Sequence, residues 1–326
     1  VEFEIVEGPH EQSWREALRL RADALVFQSP EMLDVFGRTE GLRPGVLVAV
    51  EKQSGRGLAC LAWIAVVPSG PVGRALLSRC ICQGGPVYQP GSKAGLQAAR
   101  ALVERHAELV RADCVYSEFR NGYDRTGIPE ALEGLAEPEP HCNFLIDVSR
   151  GPEAVWREMS SGRRKGIRRA ERQGITVRRV ALPREVEECH RLFQLTYRRA
   201  RLPLFDVSLF RAAASVLVDR VRFYVAARAG QALAARALLL TEHTMYDWFA
   251  GSTEAGERAR ANELIVWEAL QEACRLGLQR FDFGGGGHPD RPYGPREFKR
   301  RFGGSRIEYQ RFVIRHAPVR SALISA

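Results

Sequence analysis

The chain's 326 residues, 45% apolar and 27% charged, have the composition of an ordinary globular protein of one or two domains. They leave no room for a membrane-spanning helix, which needs roughly 18 consecutive apolar residues; ALAARALLL (232–240), among the most apolar stretches, is too short and carries Arg236. The net charge of +9 is unevenly spread: residues 1–150 hold 16 basic against 20 acidic side chains (−4) and residues 151–326 hold 32 against 19 (+13), so the second half is expected to meet a polyanion or a phosphate-bearing partner.

The N-terminal VEFEIVEG is acidic and lacks a basic segment ahead of an apolar core, so no signal peptide is visible and a cytoplasmic location is expected. VLVAVE (46–51) and ACLAWIAVV (59–67) read as strands around the turn SGRG (54–57). Cys80 and Cys82 are the only close pair among seven scattered cysteines, and a one-residue gap is not a zinc or redox spacing. Reduced, buried thiols and no metal are expected. GLQAARALVERHAELVRADCVYSEFR (95–120) reads as a helix followed by a strand. FLIDV (144–148) is a further strand, and Ser149-Arg150-Gly151-Pro152 after it marks a boundary between domains 1–150 and 151–326.

The second half opens with WREMSSGRRKGIRRAERQGITVRRV (156–180), a basic helix over 156–173 that Gly174 ends, then a strand. Arg164, Arg168 and Arg172 recur every four residues on one face. Such a row either faces solvent or binds phosphate oxygens through bidentate guanidinium contacts. RFYVAAR (222–228), ALAARALLLT (232–241) and TMYDWFAGS (244–252) are strands. Residues 262–276 form a helix with Leu264, Trp267, Leu270 and Cys274 at helical spacing, and Phe281-Asp282-Phe283 is a strand end. Each half thus reads strand, strand, strand, helix, strand, which predicts a duplicated α/β unit.

Four glycines, 284–287, follow that strand end and let the backbone turn sharply and approach a ligand. They form neither a P-loop nor a dinucleotide fingerprint, since GxxxxGK[ST] is absent and no helix starts directly after them. DFG at 282–284 lacks the HRD and VAIK partners of a kinase, and His288 has no nearby Cys or Ser in sequence. Pro295 suits the start of a short helix in which Phe298 and Phe302 are anchors, leaving Lys299 to point toward the glycines. Only four lysines (Lys52, Lys93, Lys165, Lys299) stand among 48 basic residues. A lysine kept beside Arg296, Arg300 and Arg301 is either one more charge on a solvated face or a compact point charge that arginine cannot replace.

IRRAERQGITV (167–177), YDWFAGS with NELIVWEAL and GLQRFDFGG (246–285), and FKRRFGG (298–304) resemble, in order and spacing, the Fem family of nonribosomal aminoacyl transferases; the first half matches more weakly, through VYSEFRNG (115–122). The resemblance implies an α/β protein of two tandem acetyltransferase-like (GNAT-like) domains, each a mixed, mostly antiparallel sheet flanked by helices, with the last residues able to return to the first domain. It implies an enzyme that moves an amino acid from aminoacyl-tRNA to an amine of a peptidoglycan precursor or peptide-like metabolite. Neither a metal nor a cofactor beyond the tRNA co-substrate is implied, and no covalent acyl-enzyme. Carried over motif by motif, it sets Phe298 and Lys299 at the reacting centre, Glu118 as a substrate-contacting acid, and Arg168 with Arg164 on acceptor phosphates. Arg120, Tyr293, Asp282 and Gly285 complete the substrate-side candidates. Peripheral contact with a membrane surface is compatible with these partners.

Members acting on peptidoglycan precursors often carry Gln, Trp and Lys in the first domain. Here FQSPEMLDVF (27–36) keeps Gln28 but has Met32 and Phe36, which speaks against a UDP-linked muramyl acceptor. The alternative on the same fold is an acyl-CoA-dependent N-acyltransferase. Acetyl-CoA would need a glycine-containing loop at a helix N-terminus, whereas ERARANEL (257–264) has no glycine and Gly256 stands just before it. A noncatalytic RNA- or polysaccharide-binding module has only the +13 half in its favour.

Overall fold

The computed structural model describes residues 1–68, 70, 73, 77–121, 127–180 and 183–317; Gly122 of VYSEFRNG lies outside them. Two compact units divide the chain: Val1–Pro140 with Tyr309–Ala326, and His141–Glu308.

The first unit contains β1 (Phe3–Glu7), α1 (Glu11–Arg19), α2 (Pro30–Gly37), β2 (Leu42–Glu51), β3 (Gly57–Val66), β4 (Arg79–Gln83), β5 (Val87–Tyr88), α3 (Lys93–Val110), β6 (Tyr116–Arg120) and α4 (Ile128–Leu132). β7 (Glu137–Asp147) carries the chain into the second unit. Next come α5 (Pro152–Glu158), α6 (Ser161–Arg172), β8 (Thr176–Val180), α7 (Pro183–Arg199), α8 (Val207–Val216), β9 (Val221–Arg228), β10 (Gln231–Leu240), β11 (Thr244–Ser252), α9 (Glu254–Arg258), α10 (Ala261–Arg275), β12 (Arg280–Asp282) and α11 (Gly294–Arg300). β13 (Ser305–Arg315) returns it to the first.

In the first unit β1, β2, β3 and β4 pair antiparallel in turn, and β4 pairs parallel with β6. The parallel pair needs a crossover, which α3 supplies. In the second unit β8, β9, β10 and β11 pair antiparallel, and β11 pairs parallel with β12 across α10. The duplicated pattern expected from the sequence is therefore present. Each sheet closes with one more antiparallel strand: β13 beside β6, with Phe312 opposite Phe119, and β7 beside β12, with Ile146 opposite Phe281. Because both passages between units run inside strands, the turn at 149–152 falls within the second unit, not at its border.

Burial tracks the periodicities. Ala98, Ala99, Leu102 and Val103 of α3 pack with Leu47, Leu61 and Phe119 in the first core. Ile265, Val266 and Leu270 of α10 pack with Ile146, Phe281, Phe283 and Phe302 in the second. All seven cysteines are free thiols, and Cys80 and Cys82 share the buried face of β4. The single basic helix expected over 156–173 is two helices. Met159 is extended, and the Ser160 hydroxyl accepts from Arg163 N–H at 3.2 Å to start α6 afresh. A serine cap of this kind satisfies an N–H that the first turn otherwise leaves open.

Two glycines separate backbone conformation from crowding. Gly230, between β9 and β10, has φ +79° with nothing within 4 Å of an added Cβ, whereas at Gly304, also φ +79°, a Cβ would lie 2.3 Å from the Leu145 carbonyl oxygen. Gly230→Ala is expected to cost about 1–2 kcal/mol, the left-handed penalty alone. Gly304→Ala adds overpacking and is expected to cost about 2–5 kcal/mol. Denaturant unfolding of both variants checks this, and equal costs would show that β7 yields to the extra methyl.

Candidate active site

The glycine segment lies beyond the end of β12 and is held from β7. The buried Asp282 carboxylate accepts from Asn143 Nδ2 at 2.6 Å and from Gly284 N–H at 2.7 Å. Asn143, fully buried, uses its Oδ1 to accept from Phe144 N–H and Gly285 N–H, both at 2.8 Å. Burial pushes the Asp282 carboxyl up to about 6, against the opposing pull of Asn143, Gly284 N–H and Lys299. Gly284 has φ +75°, and a Cβ on it would come within 2.9 Å of the Asp247 carbonyl and the Tyr246 hydroxyl, so the turn admits only glycine there.

Helix α11 delivers Lys299 to this turn. Its half-buried ammonium donates to the carbonyls of Phe283 at 2.6 Å and Gly285 at 2.5 Å. The helix is anchored by Phe298, whose ring meets Phe302 edge-on at 5.3 Å, and Phe302 packs on Phe283 at 5.6 Å. The Arg163 guanidinium lies 4.4 and 4.2 Å from the centroids of Phe298 and Phe302, donates to the Phe298 carbonyl at 2.8 Å, and pairs with Glu263 at 2.8 Å. Burial lowers Arg163 to about 10 although Glu263 favours its charged form. Arg296 fastens the rest of the loop, donating to the carbonyls of Gly286 (2.9 Å), Pro289 (2.8 Å), Arg291 (3.0 Å) and His288.

Phe298, Lys299, Asp282 and Gly285 therefore come together, and Tyr293 joins them by packing its ring over Gly287. Arg164 and Arg168 turn toward α5: Arg164 donates to the Arg157 and Trp156 carbonyls at 2.9 and 3.3 Å, and the exposed Arg168 lies 5.4 Å from the Trp156 ring. Glu118 and Arg120 belong to the first unit. There Glu118 pairs with Arg120 at 2.8 Å and Arg311 at 3.0 Å. Burial alone would raise its carboxyl, but the two guanidiniums outweigh burial and hold it at about 2. Gln28 is absorbed by the fold: its amide donates to the Gly85 carbonyl at 2.8 Å and accepts from Leu25 N–H at 2.9 Å.

Sequence reasoning missed Arg163, Asn143, Arg296 and Arg311. For Arg163 a signal existed, since the buried stripe of Ile167 and Ala170 runs back to position 163. The start of α10 carries a further feature: Glu263, in its first turn and buried, is held by Arg163 at 2.8 Å and Arg260 at 3.2 Å. Gly256 serves packing, since a Cβ there would meet the Leu233 carbonyl at 2.2 Å. Among the described residues no group of His, Cys, Asp and Glu could hold a metal ion, and no helix is long and apolar enough to cross a membrane.

Residues 159–300 match the acetyltransferase (GNAT) domain family. No curated protein matches the chain in sequence. Among solved structures, FemX is similar at a TM-score of 0.70 and 12% identity, over 99% of this chain and 100% of that one. A tandem GNAT protein from the clavulanic acid biosynthesis pathway is similar at 0.61 and 12% identity, over 97% and 99%. The C-terminal domain of a putative lysylphosphatidylglycerol synthetase from Agrobacterium fabrum is similar at 0.57 and 17% identity, over 96% of both chains. At these identities the structural likeness is one of fold, and together with the domain match it makes this chain an acyltransferase with a Fem-like tandem GNAT fold.

Proposed function

We propose that this protein transfers an aminoacyl group from aminoacyl-tRNA to an amine of a peptidoglycan precursor or peptide-like acceptor, forming a peptide bond in the cytoplasm. The observation that carries the reading is the Lys299 ammonium, held by two carbonyls at a glycine turn within the acetyltransferase-like domain. Attack of a neutral amine on the aminoacyl ester forms a tetrahedral oxyanion, and a fixed ammonium lowers the energy of that charge. Collapse breaks the ester bond, forms the amide, and passes the amine's proton to the departing ribose oxygen. Glu118, held at about 2, stays ionised near neutral pH and is poorly suited to take that proton.

The choice of donor rests on α10. In CoA-dependent enzymes of this fold a diphosphate lies on helix N-terminal amides. Here that turn already contains an internal anion, Glu263, bound by Arg163 and Arg260. The exposed Lys165, Arg168, Arg169 and Arg172 of α6 favour a polyanionic partner such as tRNA.

Incubation of the purified protein with labelled aminoacyl-tRNA pools and candidate amines is expected to give amide product, and incubation with labelled acetyl-CoA none. Label moving from CoA but never from tRNA would overturn the assignment. Lys299→Arg and Lys299→Met are each expected to lower turnover by ~10²–10³ with an unchanged circular dichroism spectrum, because a planar fork cannot reproduce a point charge between two carbonyls. Near-normal turnover of the arginine variant would remove Lys299 from the chemistry.

A further inference from the structure

We infer that Asp282 and Asn143 are positioning residues for Lys299: Asp282 sets the Phe283 carbonyl through Gly284 N–H, and Asn143 holds Asp282 and the Gly284–Gly285 peptide between the two carbonyls that bind the ammonium. The inference rests on the aminoacyl-transfer reading of Lys299. A peptide unit is planar, so fixing its N–H fixes its C=O. Phe283 C=O shares a plane with Gly284 N–H, which donates to the Asp282 carboxylate at 2.7 Å. Gly285 N–H donates to Asn143 Oδ1 at 2.8 Å, and Gly286 N–H, coplanar with Gly285 C=O, donates to the Cys142 carbonyl at 2.6 Å. Three successive N–H groups are thus tied down, while the carbonyls of Phe283 and Gly285 accept from Lys299. Asn143 and Asp282 are themselves joined at 2.6 Å and buried, so the assembly moves as one piece.

Without this restraint a run of four glycines is the part of the chain with the most conformational freedom to lose. A misplacement of ~1 Å at a reacting group costs ~10²-fold in rate. The Asp282 carboxylate also acts on Lys299 electrostatically. Lys299 and Asp247 are the charged groups that act on it, and Asp247 is itself paired with Arg236. Burial pushes Asp282 up to about 6, so acidification through that value removes a negative charge beside Lys299.

The scarcity of lysine supplies a direct probe. With ¹³Cε- and ¹⁵Nζ-labelled lysine the chain gives signals from Lys52, Lys93, Lys165 and Lys299 only, and Lys299→Met assigns the last. The Lys299 signal is expected to shift with a midpoint near pH 6 in the wild type and to lose that inflection in Asp282→Asn, which keeps the shape of the side chain. A Lys299 signal whose shift and pH dependence are the same in the wild type and in Asp282→Asn would overturn the inference. In kinetics, Asn143→Ala is expected to lower kcat by ~10–10² with KM changed less than about twofold. Adding it to Lys299→Met should cost nothing further, whereas multiplied losses would mean that Asn143 acts elsewhere. If Asn143→Ala does not fold, Asp282→Asn carries the same comparison. A wild type that transfers nothing from any aminoacyl-tRNA would sink the reaction assignment, while the lysine spectra would still decide the positioning.

Discussion

The interaction on which the second unit's site depends is the pair of hydrogen bonds from Lys299 to the Phe283 and Gly285 carbonyls. It joins two pieces of chain that have little reason to be ordered alone. Helix α11 is short and mostly exposed, below the length at which helices are stable in isolation. The glycine segment has no side chains with which to pack. Each is fixed by something deeper: the helix by Phe302 and the stacked Arg163, the turn by Cys142 and Asn143 of β7. The ammonium is the closing bond of this ring of contacts.

That arrangement keeps several charges out of water. Arg163 with Glu263, and Arg236 with Asp247, are almost wholly buried. Such pairs seldom add net stability over apolar residues of the same size, although breaking one is costly. Asp282 is dearer still. Its folded value is raised from 3.8 to about 6, so its ionised form disfavours the fold. The sign is that of a group whose protonation stabilises: the contribution is fully present below about 3.8 and is lost as pH rises through about 6. At neutral pH this amounts to a penalty on the order of 3 kcal/mol for the ionised carboxylate. A fold selected for stability alone would place an amide there. The carboxylate makes sense where its charge acts on the lysine beside it.

Much of this fold could be read along the chain, because strands β9 to β11 and helix α10 carry periodicities punctuated by glycine. The break between α5 and α6 went unread although Ser160-Ser161-Gly162 marks it, a capping serine followed by weak helix formers, because the arginine spacing on either side suggested one continuous helix. The division between units could not be read, because β7 passes through it without a turn. Lys299 stood out through composition and through Phe298 and Phe302 around it. Asn143 did not, because its partner Asp282 is 139 residues away and a lone asparagine in a strand has no local signature. Arg163 was hidden among neighbours of the same type, although only it turns inward beside Ile167.

The repeated topology shows how equivalent places in the two units come to hold different polar clusters. In both units a parallel strand comes after the crossover helix and pairs with a closing antiparallel strand, β6 with β13 and β12 with β7. In the first unit the closing strand sends Arg311 to Glu118, and the Asn121 amide donates to the Gln310 carbonyl at 3.2 Å. With Arg120 on its other oxygen, Glu118 is a satisfied anion held between two cations. In the second unit the closing strand sends Asn143 to an acid at the end of β12, and the chain beyond that acid is rich in glycine. Glycine lets the backbone turn its N–H groups toward β7 and leaves two carbonyls for Lys299. The same slot thus yields a static ion cluster in one copy and a seat for a lysine ammonium in the other. In the second unit the glycine turn beyond β12 leaves space for a lysine to enter from α11.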